Sequence, residues 1–223
     1  GEAFVGFLRD VAERGPLQPL YGIGGERDLA ERELDHLAGF AGHGPVRIGN
    51  AAYMQQQHDL MGEMVLCLET LMTDPRVVTD RPPDLFGLVS RLVEDAIRAA
   101  WEDDTGLWEF RSRPRPYTFS KVLCWVAANR GARLARLYGH PDVAARWNTW
   151  ARDVRAMILA AAFNPDLGYF TQALHGEYPD ASLLLLPTFG FIEARDPGSC
   201  PRCRSEEHTS ELQSHHDLVC RLL

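Results

Sequence analysis

Apolar residues recur at helical spacing through most of the first 200 residues, and Gly, Pro and Asp concentrate between the segments that carry them. No run of alternating β-branched residues is long enough to build a sheet. The pattern therefore predicts an all-α fold. The helical segments that it predicts cover residues 4–14, 51–73, 84–101, 118–138, 142–162 and 181–187.

These helical segments differ in how much apolar surface they carry. Segment 181–187 is apolar on all sides and must be enclosed, whereas 84–101 and 142–162 keep a polar face. Such alternation suits two concentric layers, because only inner helices are covered on most sides. A helical toroid meets that requirement, and no repeat of 34 or about 40 residues supports a helical-repeat solenoid. In segment 51–73 the expected core side chains are Met54, Met61, Met64, Val65, Leu68 and Met72.

Composition limits the kinds of partner. The 223 residues, 45% of them hydrophobic and 24% charged, are typical of one globular domain. A net charge of −8 and the absence of Lys/Arg clusters argue against nucleic acid or an anionic membrane as a partner and favour a neutral substrate. The sequence has no run of about 18 apolar residues and no signal peptide pattern at its start, so we expect a cytoplasmic protein. It calls for no cofactor and indicates no oligomeric state.

The cysteines follow no regular disulfide pattern. Cys67 and Cys124 lie in apolar helical patterns, so we expect both to be reduced core residues. Cys200 and Cys203 have the spacing of a zinc knuckle, but no second pair follows at a suitable distance. An accidental pair is the favoured interpretation, and we predict no metal site.

The composition changes at residue 204, where His and Ser become abundant and the apolar helical pattern ends. The run RSEEHTSELQSH resembles the translation of an adapter oligonucleotide used in short-read DNA sequencing. We therefore expect residues 1–203 to be a domain fragment, cut near residue 200 and at Gly1, and 204–223 to be a non-native, disordered tail. A genuine polar terminus and a His-rich metal-binding tract are the alternatives.

Acidic and aromatic side chains concentrate in the loop over residues 101–121. Glu109 follows Leu107 and Trp108, which would desolvate its carboxyl and raise its pKa towards that of a general acid. Pairing of Glu109 with Arg111 or Arg113 beside a helix is the alternative. Residues 102–104 belong to an Asp-Asp-x-Gly turn, which we expect to be solvated.

Six motifs occur in order along the chain: LYGI at 20–23, PVRIGNAA at 45–52, GLWE at 106–109, YTFSKV at 117–122, GYFTQ at 168–172 and DASLLLLP at 180–187. In this series the chain resembles glycoside hydrolase family 15, which contains glucoamylases, glucodextranases and bacterial trehalase-like enzymes. The resemblance implies part of an (α/α)6 toroid with its active site in a funnel. It also implies inverting hydrolysis of terminal α-glucosidic bonds in an α-glucan oligosaccharide or in trehalose.

The resemblance also implies roles for particular residues. Glu109 matches the family's general acid, and Leu107 and Trp108 would line the sugar site beside it. Arg47 and Asn50 match an Arg-x-x-Asn at the funnel border, where they would hold sugar hydroxyls or serve loop structure. Lys121 would orient Glu109 or contact substrate, unless it is simply exposed in the first turn of its helix.

Some family features fall outside this chain or differ in it. The family's general base lies beyond residue 203, so we expect the fragment to be inactive alone. Glucoamylases carry a second acid where this chain has Phe110, which leaves the adjoining sugar subsite open. Asp180 is expected to cap the segment that follows it. A non-catalytic toroid with a regulatory or carbohydrate-binding role is the alternative function, and the intact GLWE motif disfavours it.

Overall fold

The structure is a computed structural model that describes residues 2–74, 83–110 and 113–193. The expectations for Arg111, for Cys200 and Cys203 and for the tail at 204–223 lie outside the described residues.

Helices make up most of the described chain, which confirms the all-α prediction. The α-helices are α1 (Glu2–Glu13), α2 (Leu60–Thr73), α3 (Pro83–Ala99), α4 (Thr118–Leu137) and α5 (Pro141–Ala162). Two antiparallel pairs of two-residue strands accompany them, β1 (Arg32–Glu33) with β2 (Arg47–Ile48) and β3 (Phe163–Asn164) with β4 (Tyr169–Phe170). Short 3-10 helices cover Phe40–Gly42, Ala51–Met54 and Ala181–Leu185.

Consecutive helices alternate between two layers. Helices α2 and α4 lie side by side, α3 packs against both, and α5 packs against α4. The indole N–H of Trp147 in α5 donates to Glu94 of α3 at 2.9 Å, so α3 and α5 meet in the second layer. This arrangement confirms the two-layer expectation of a partial (α/α)6 toroid.

Helix α4 is the centre of the core. Residues 118–128 are buried on every side of the helix, because α2, α3 and α5 surround it. The closest approach is at Gly62 of α2, where an added Cβ would lie 2.3 Å from the carbonyl oxygen of Leu123. Only a residue without a side chain lets the two helices approach this closely. In the described ranges no helix is both long and apolar enough to cross a membrane.

The helix predicted over 51–73 begins nine residues later than expected. The side chain of Asn50 accepts a hydrogen bond from the backbone N–H of Ala52 and starts a single 3-10 turn, after which Gln55 is extended. Residues 55–59 instead form a loop that binds the segment before α4. Tertiary hydrogen bonds override the helical pattern here, and Met54, expected in the core, is 75% exposed.

Two further expectations about the core need correction. Cys124 is buried as expected, but Cys67 is exposed because it lies on the outward face of α2 with Glu63 and Thr70. Segment 181–187 forms a 3-10 helix over Ala181–Leu185, and it is only partly enclosed. Leu183 and Leu186 are buried there, whereas Leu185 remains 40% exposed.

The contact at Gly62 gives a test of this packing. We expect Gly62→Ala to lower the free energy of unfolding by about 1–3 kcal/mol, because its Cβ would collide with the backbone of α4. Gly87→Ala is the matched control, because an added Cβ there has no neighbour within 4 Å. This substitution also replaces a glycine in a helix interior by a better helix former. It should be neutral or stabilise by up to about 1 kcal/mol. Urea unfolding followed by circular dichroism measures both, and equal effects would contradict the packing.

Candidate active site

The GLWE motif forms a tight turn in the loop between α3 and α4. The backbone N–H of Glu109 donates to the carbonyl of Gly106 at 3.3 Å and closes the turn. Gly106 has φ +69°, and an added Cβ would lie 2.8 Å from the ring of Tyr117. Glycine is therefore required both by the backbone conformation and by the space.

The start of this loop is held by a buried carboxylate. Asp104 is 1% exposed, and its Oδ2 accepts hydrogen bonds from the backbone N–H of His58 at 3.0 Å and from Oγ of Ser120 at 2.7 Å. Its backbone forms a bridge with Arg115. The expectation of a solvated turn is wrong at this residue, because a buried carboxylate needs the hydrogen bonds that these neighbouring segments supply.

The glutamine segment at 55–57 holds the rest of the loop. The carbonyl of Gln56 accepts from both the backbone N–H and the hydroxyl of Thr105, at 3.0 and 2.8 Å. The side-chain amide of Gln55 lies 3.4 Å from the carbonyl oxygens of Glu109 and Phe110. The sequence motifs did not single out these residues. The sequence signal that could have found them is the run of three glutamines before an apolar helix. Glutamine side chains can both donate hydrogen bonds to a neighbouring loop and accept them from it.

Trp108 is fixed by Asp180. Its indole N–H donates to the two carboxylate oxygens of Asp180 at 3.0 and 2.8 Å, while the side chain stays 52% exposed. Asp180 also accepts from the backbone N–H of Ser182 and therefore caps the 3-10 helix, as expected. Its contact with Trp108 was not expected, because the two residues are 72 positions apart.

The side chain of Glu109 is exposed. The expectation that Leu107 and Trp108 enclose this carboxyl is not met, because Leu107 packs against the core and Trp108 turns towards Asp180. Glu109 has φ +53°, a left-handed conformation that is uncommon for a residue with a side chain. Strain of this kind persists where the surroundings impose it, and it is often found at functional positions.

Arg47 and Asn50 are held by residues outside the GLWE turn. Arg47 in β2 forms ion pairs with Glu31 at 3.4 Å and with Glu33 at 2.9 Å, and its side chain is 48% exposed. Asn50 is half-buried and caps the 3-10 helix that follows it. Their partners are therefore residues of the neighbouring strand and of the 3-10 helix, and not residues of the GLWE turn.

Lys121 has a structural position that differs from both expectations. It is 1% exposed, and its Nζ donates to the carbonyl oxygens of Ala99, at 3.4 Å, and of Glu102. The ammonium group therefore caps the C-terminus of α3, where the unpaired carbonyls of a helix favour a cation. Burial lowers the pKa of Lys121. This buried position corrects the expectation that Lys121 contacts Glu109 or substrate.

A cavity of about 290 Å³ lies beside the turn. Phe110, Arg113, Arg115, Tyr117 and Gln172 line it, and the rings of Phe110 and Tyr117 stack with centroids 5.4 Å apart. Two stacked rings and three polar side chains give this cavity both apolar and hydrogen-bonding walls. Its volume is at the small end of the range for ligand pockets.

A group of buried titratable residues lies behind the loop. Burial, with a smaller effect of the Glu63 charge, raises the pKa of Asp59 to about 7. Burial also lowers the pKa of His58 and raises that of the Cys124 thiol to about 12. Among the residues that the structure describes, no group of three or more His, Cys, Asp and Glu is placed to hold a metal ion.

Asp59 gives the fold a pH dependence. Its pKa rises from 3.8 to about 7 on folding, so between these values the folded state keeps a proton that the unfolded chain releases. The contribution of Asp59 to the free energy of unfolding therefore falls as pH rises from about 4 to 7, a loss on the order of 4 kcal/mol. Above pH 7 the contribution stays constant. Urea unfolding of Asp59→Asn across this range should lack that loss relative to the unsubstituted chain. The exposed Asp166→Asn is the control, and identical pH profiles for all three proteins would contradict the assignment.

Comparison of the sequence with known proteins identifies a family. The model for "Glycosyl hydrolases family 15" matches residues 2–214, a range that ends within the 204–223 segment. The chain is 41% identical over 199 residues to the trehalase of Mycolicibacterium smegmatis and 42% identical to that of Mycobacterium tuberculosis. It is 33% identical over 194 residues to trehalase 2 of Sulfolobus acidocaldarius.

The alignments cover most of this chain but a minor part of each relative. The two mycobacterial trehalases are matched over 87% of this chain and 29% of their own length, and the Sulfolobus enzyme over 86% and 33%. No solved structure matches the chain significantly. Because the family model matches residues 2–214 of the 223, the chain belongs to glycosyl hydrolases family 15.

Proposed function

We propose that the protein to which this segment belongs hydrolyses the α-glucosidic bond of trehalose, with inversion at the anomeric carbon. The relatives named as trehalases support this substrate. The observation that carries the proposal is the GLWE turn, which is held by hydrogen bonds at Trp108 and at the preceding residues Asp104 and Thr105, while Glu109 projects from it. A rigid turn with an exposed carboxyl can present an acid to a bound sugar.

In the proposed mechanism Glu109 is the general acid. It protonates the oxygen that leaves the anomeric carbon, while a second carboxylate activates a water molecule on the opposite face of the sugar. Inverting enzymes hold the two carboxyl groups roughly 6.5–9.5 Å apart to leave room for that water. We propose that the second carboxylate comes from a part of the protein beyond this segment, which spans 29% of the mycobacterial relatives.

The exposure of Glu109 and Trp108 fits such a division of the site. A general acid must hold its proton near neutral pH, and this requires that water be largely excluded from its surroundings. We propose that segments outside this chain supply that enclosure. Leu107 anchors the turn in the core, and Trp108 offers its indole face to the apolar C–H face of a glucose ring.

Arg47 and Asn50 are proposed as further sugar contacts at the border of the site. The ion pairs with Glu31 and Glu33 orient the Arg47 guanidinium, whose remaining N–H groups could donate to hydroxyls. The disaccharide is the only partner we propose. The buried Cys124 thiol, which contacts the carbonyl of His58 at 3.5 Å, is compatible with a reducing cytoplasm.

We retain the domain division as a proposal. Residues 1–203 would be part of the catalytic toroid, and 204–223 would be a non-native tail, although the family match extends to residue 214. Sequencing the gene again from its source decides whether residues 204–223 are native or come from an adapter. Recovery of the same codons for 204–223 in genomic DNA would refute the adapter interpretation.

The role of Glu109 is tested by glucose release from trehalose. We expect the 223-residue chain to show no enzyme-like activity, and the full-length protein containing it to be active. In the full-length protein Glu109→Gln should lower kcat by about 10²–10⁴-fold, the usual contribution of a general acid. Glu102→Gln, in an exposed position of the same loop, is the matched control and should leave kcat unchanged.

Three results would change this proposal. Full activity in Glu109→Gln would remove Glu109 from the acid role. Glucose release by the 223-residue chain, lost on Glu109→Gln, would show that the chain is catalytically complete. Binding of trehalose without hydrolysis by the full-length protein would favour a non-catalytic, carbohydrate-binding toroid.

A further inference from the structure

We propose that Asp180 is a positioning residue of the sugar site, which sets the plane of the Trp108 indole and aligns it with the wall of the adjacent cavity. This inference rests on the proposed function, in which Trp108 forms one wall of that site. Capping of the 3-10 helix at Ala181–Leu185 would need only one of the bonds that the carboxylate makes.

The carboxylate of Asp180 is surrounded by donors from three parts of the chain. The indole N–H of Trp108 contacts both oxygens, at 3.0 and 2.8 Å. The side-chain amide of Gln172 donates to Oδ2 at 2.9 Å, and the backbone N–H and hydroxyl of Ser182 donate to Oδ1 at 2.8 and 2.5 Å. An ionised carboxylate accepts hydrogen bonds at both oxygens and donates none, which suits a site where every neighbour is a donor.

This arrangement joins two walls of one region. Gln172 lines the 290 Å³ cavity, and Trp108 lies on the GLWE turn that carries Glu109. Because both side chains donate to Asp180, their relative positions are fixed through one rigid acceptor. A sugar ring resting on the indole would therefore have the cavity of Phe110 and Tyr117 at a fixed distance from it.

The half-exposed state of Trp108 makes such a support necessary. An indole that is 52% exposed has too few packing neighbours to hold one orientation by van der Waals contact alone. Hydrogen bonds to a charged acceptor are stronger than neutral ones and are directional. Loss of the carboxylate should therefore release the indole while the helical core, which Asp180 does not enter, remains folded.

The experiment uses the full 223-residue chain with ¹⁵N-labelled tryptophan, whose indole N–H signals report each ring separately. Trp108→Phe assigns the Trp108 signal. The signal of Trp147, which is 1% exposed and bonded to Glu94, monitors folding in the same spectrum. Asp180→Ala should shift the Trp108 signal and raise its hydrogen exchange rate by about tenfold, as expected for a lost bond to a charged acceptor.

Asp180→Asn decides the case if the alanine variant does not fold. It keeps the size of the side chain but places an NH₂ group among donors, so it should also release the Trp108 signal. Ser182→Ala removes a donor and leaves the carboxylate, and Asp166→Ala removes an exposed acid elsewhere. Both should keep the Trp108 signal of the unsubstituted chain. A Trp108 signal unchanged in Asp180→Ala, or in Asp180→Asn, would overturn the positioning role.

Addition of trehalose separates this role from the proposed function. In the full-length protein made inactive by Glu109→Gln, millimolar trehalose should perturb the Trp108 signal, and that perturbation should be lost when Asp180→Asn is added. If trehalose leaves the signal unchanged while Asp180→Ala still releases the indole, the sugar site is refuted and the contact between Asp180 and Trp108 stands. If trehalose perturbs Trp108 equally when Asp180→Asn is added, the positioning role is refuted and the sugar site stands.

Discussion

The burial of the Asp104 carboxylate is the constraint on which the GLWE loop depends. This group accepts hydrogen bonds from the segment before α2 and from the first turn of α4, so it joins three parts of the chain at one atom. An unpaired charge in that position would be strongly unfavourable, and the neighbouring segments must therefore keep their relative places. Close contact of α2 with α4 at Gly62 and Leu123 brings those segments together.

Two carboxylates thus hold the turn, one at each end. Asp104 fixes where the loop leaves the core, and Asp180 fixes the indole at the outer face of the turn. The intervening backbone is bound by Gln55 and Gln56. Glu109 projects from a framework in which Asp104 of the same loop and the more distant Asp180 are engaged as acceptors. Carboxyl side chains therefore have two uses here, which their surroundings determine. Asp104 and Asp180 hold the turn, and Glu109 is the proposed acid.

The sequence predicted the helices better than it predicted the loops. The apolar spacing of α3, α4 and α5 placed each of them within two residues of its observed ends, because these helices are stabilised by the face that the spacing defines. The same spacing failed at 51–59, where Gln55 and Gln56 bind residues of the GLWE loop that are about 50 positions away in sequence. Local pattern carries no information about such partners.

The candidate site shows the same division. Glu109 and Trp108 could be selected by motif, but the bonds that position them could not, since Trp108 and Asp180 are far apart in the chain. Lys121 looked available to substrate and is instead buried against the end of α3, because a cation there satisfies carbonyls that the helix leaves unpaired. Asp104 looked solvated because its turn is polar, and only the fold reveals Ser120 beside it.

The most direct measurement is a crystal structure of the full-length protein with a non-hydrolysable trehalose analogue bound. The account predicts the Glu109 carboxyl within about 2.6–3.2 Å of the atom that replaces the glycosidic oxygen, with one sugar ring against the Trp108 indole. An analogue bound elsewhere, with Glu109 still facing open water, would contradict it.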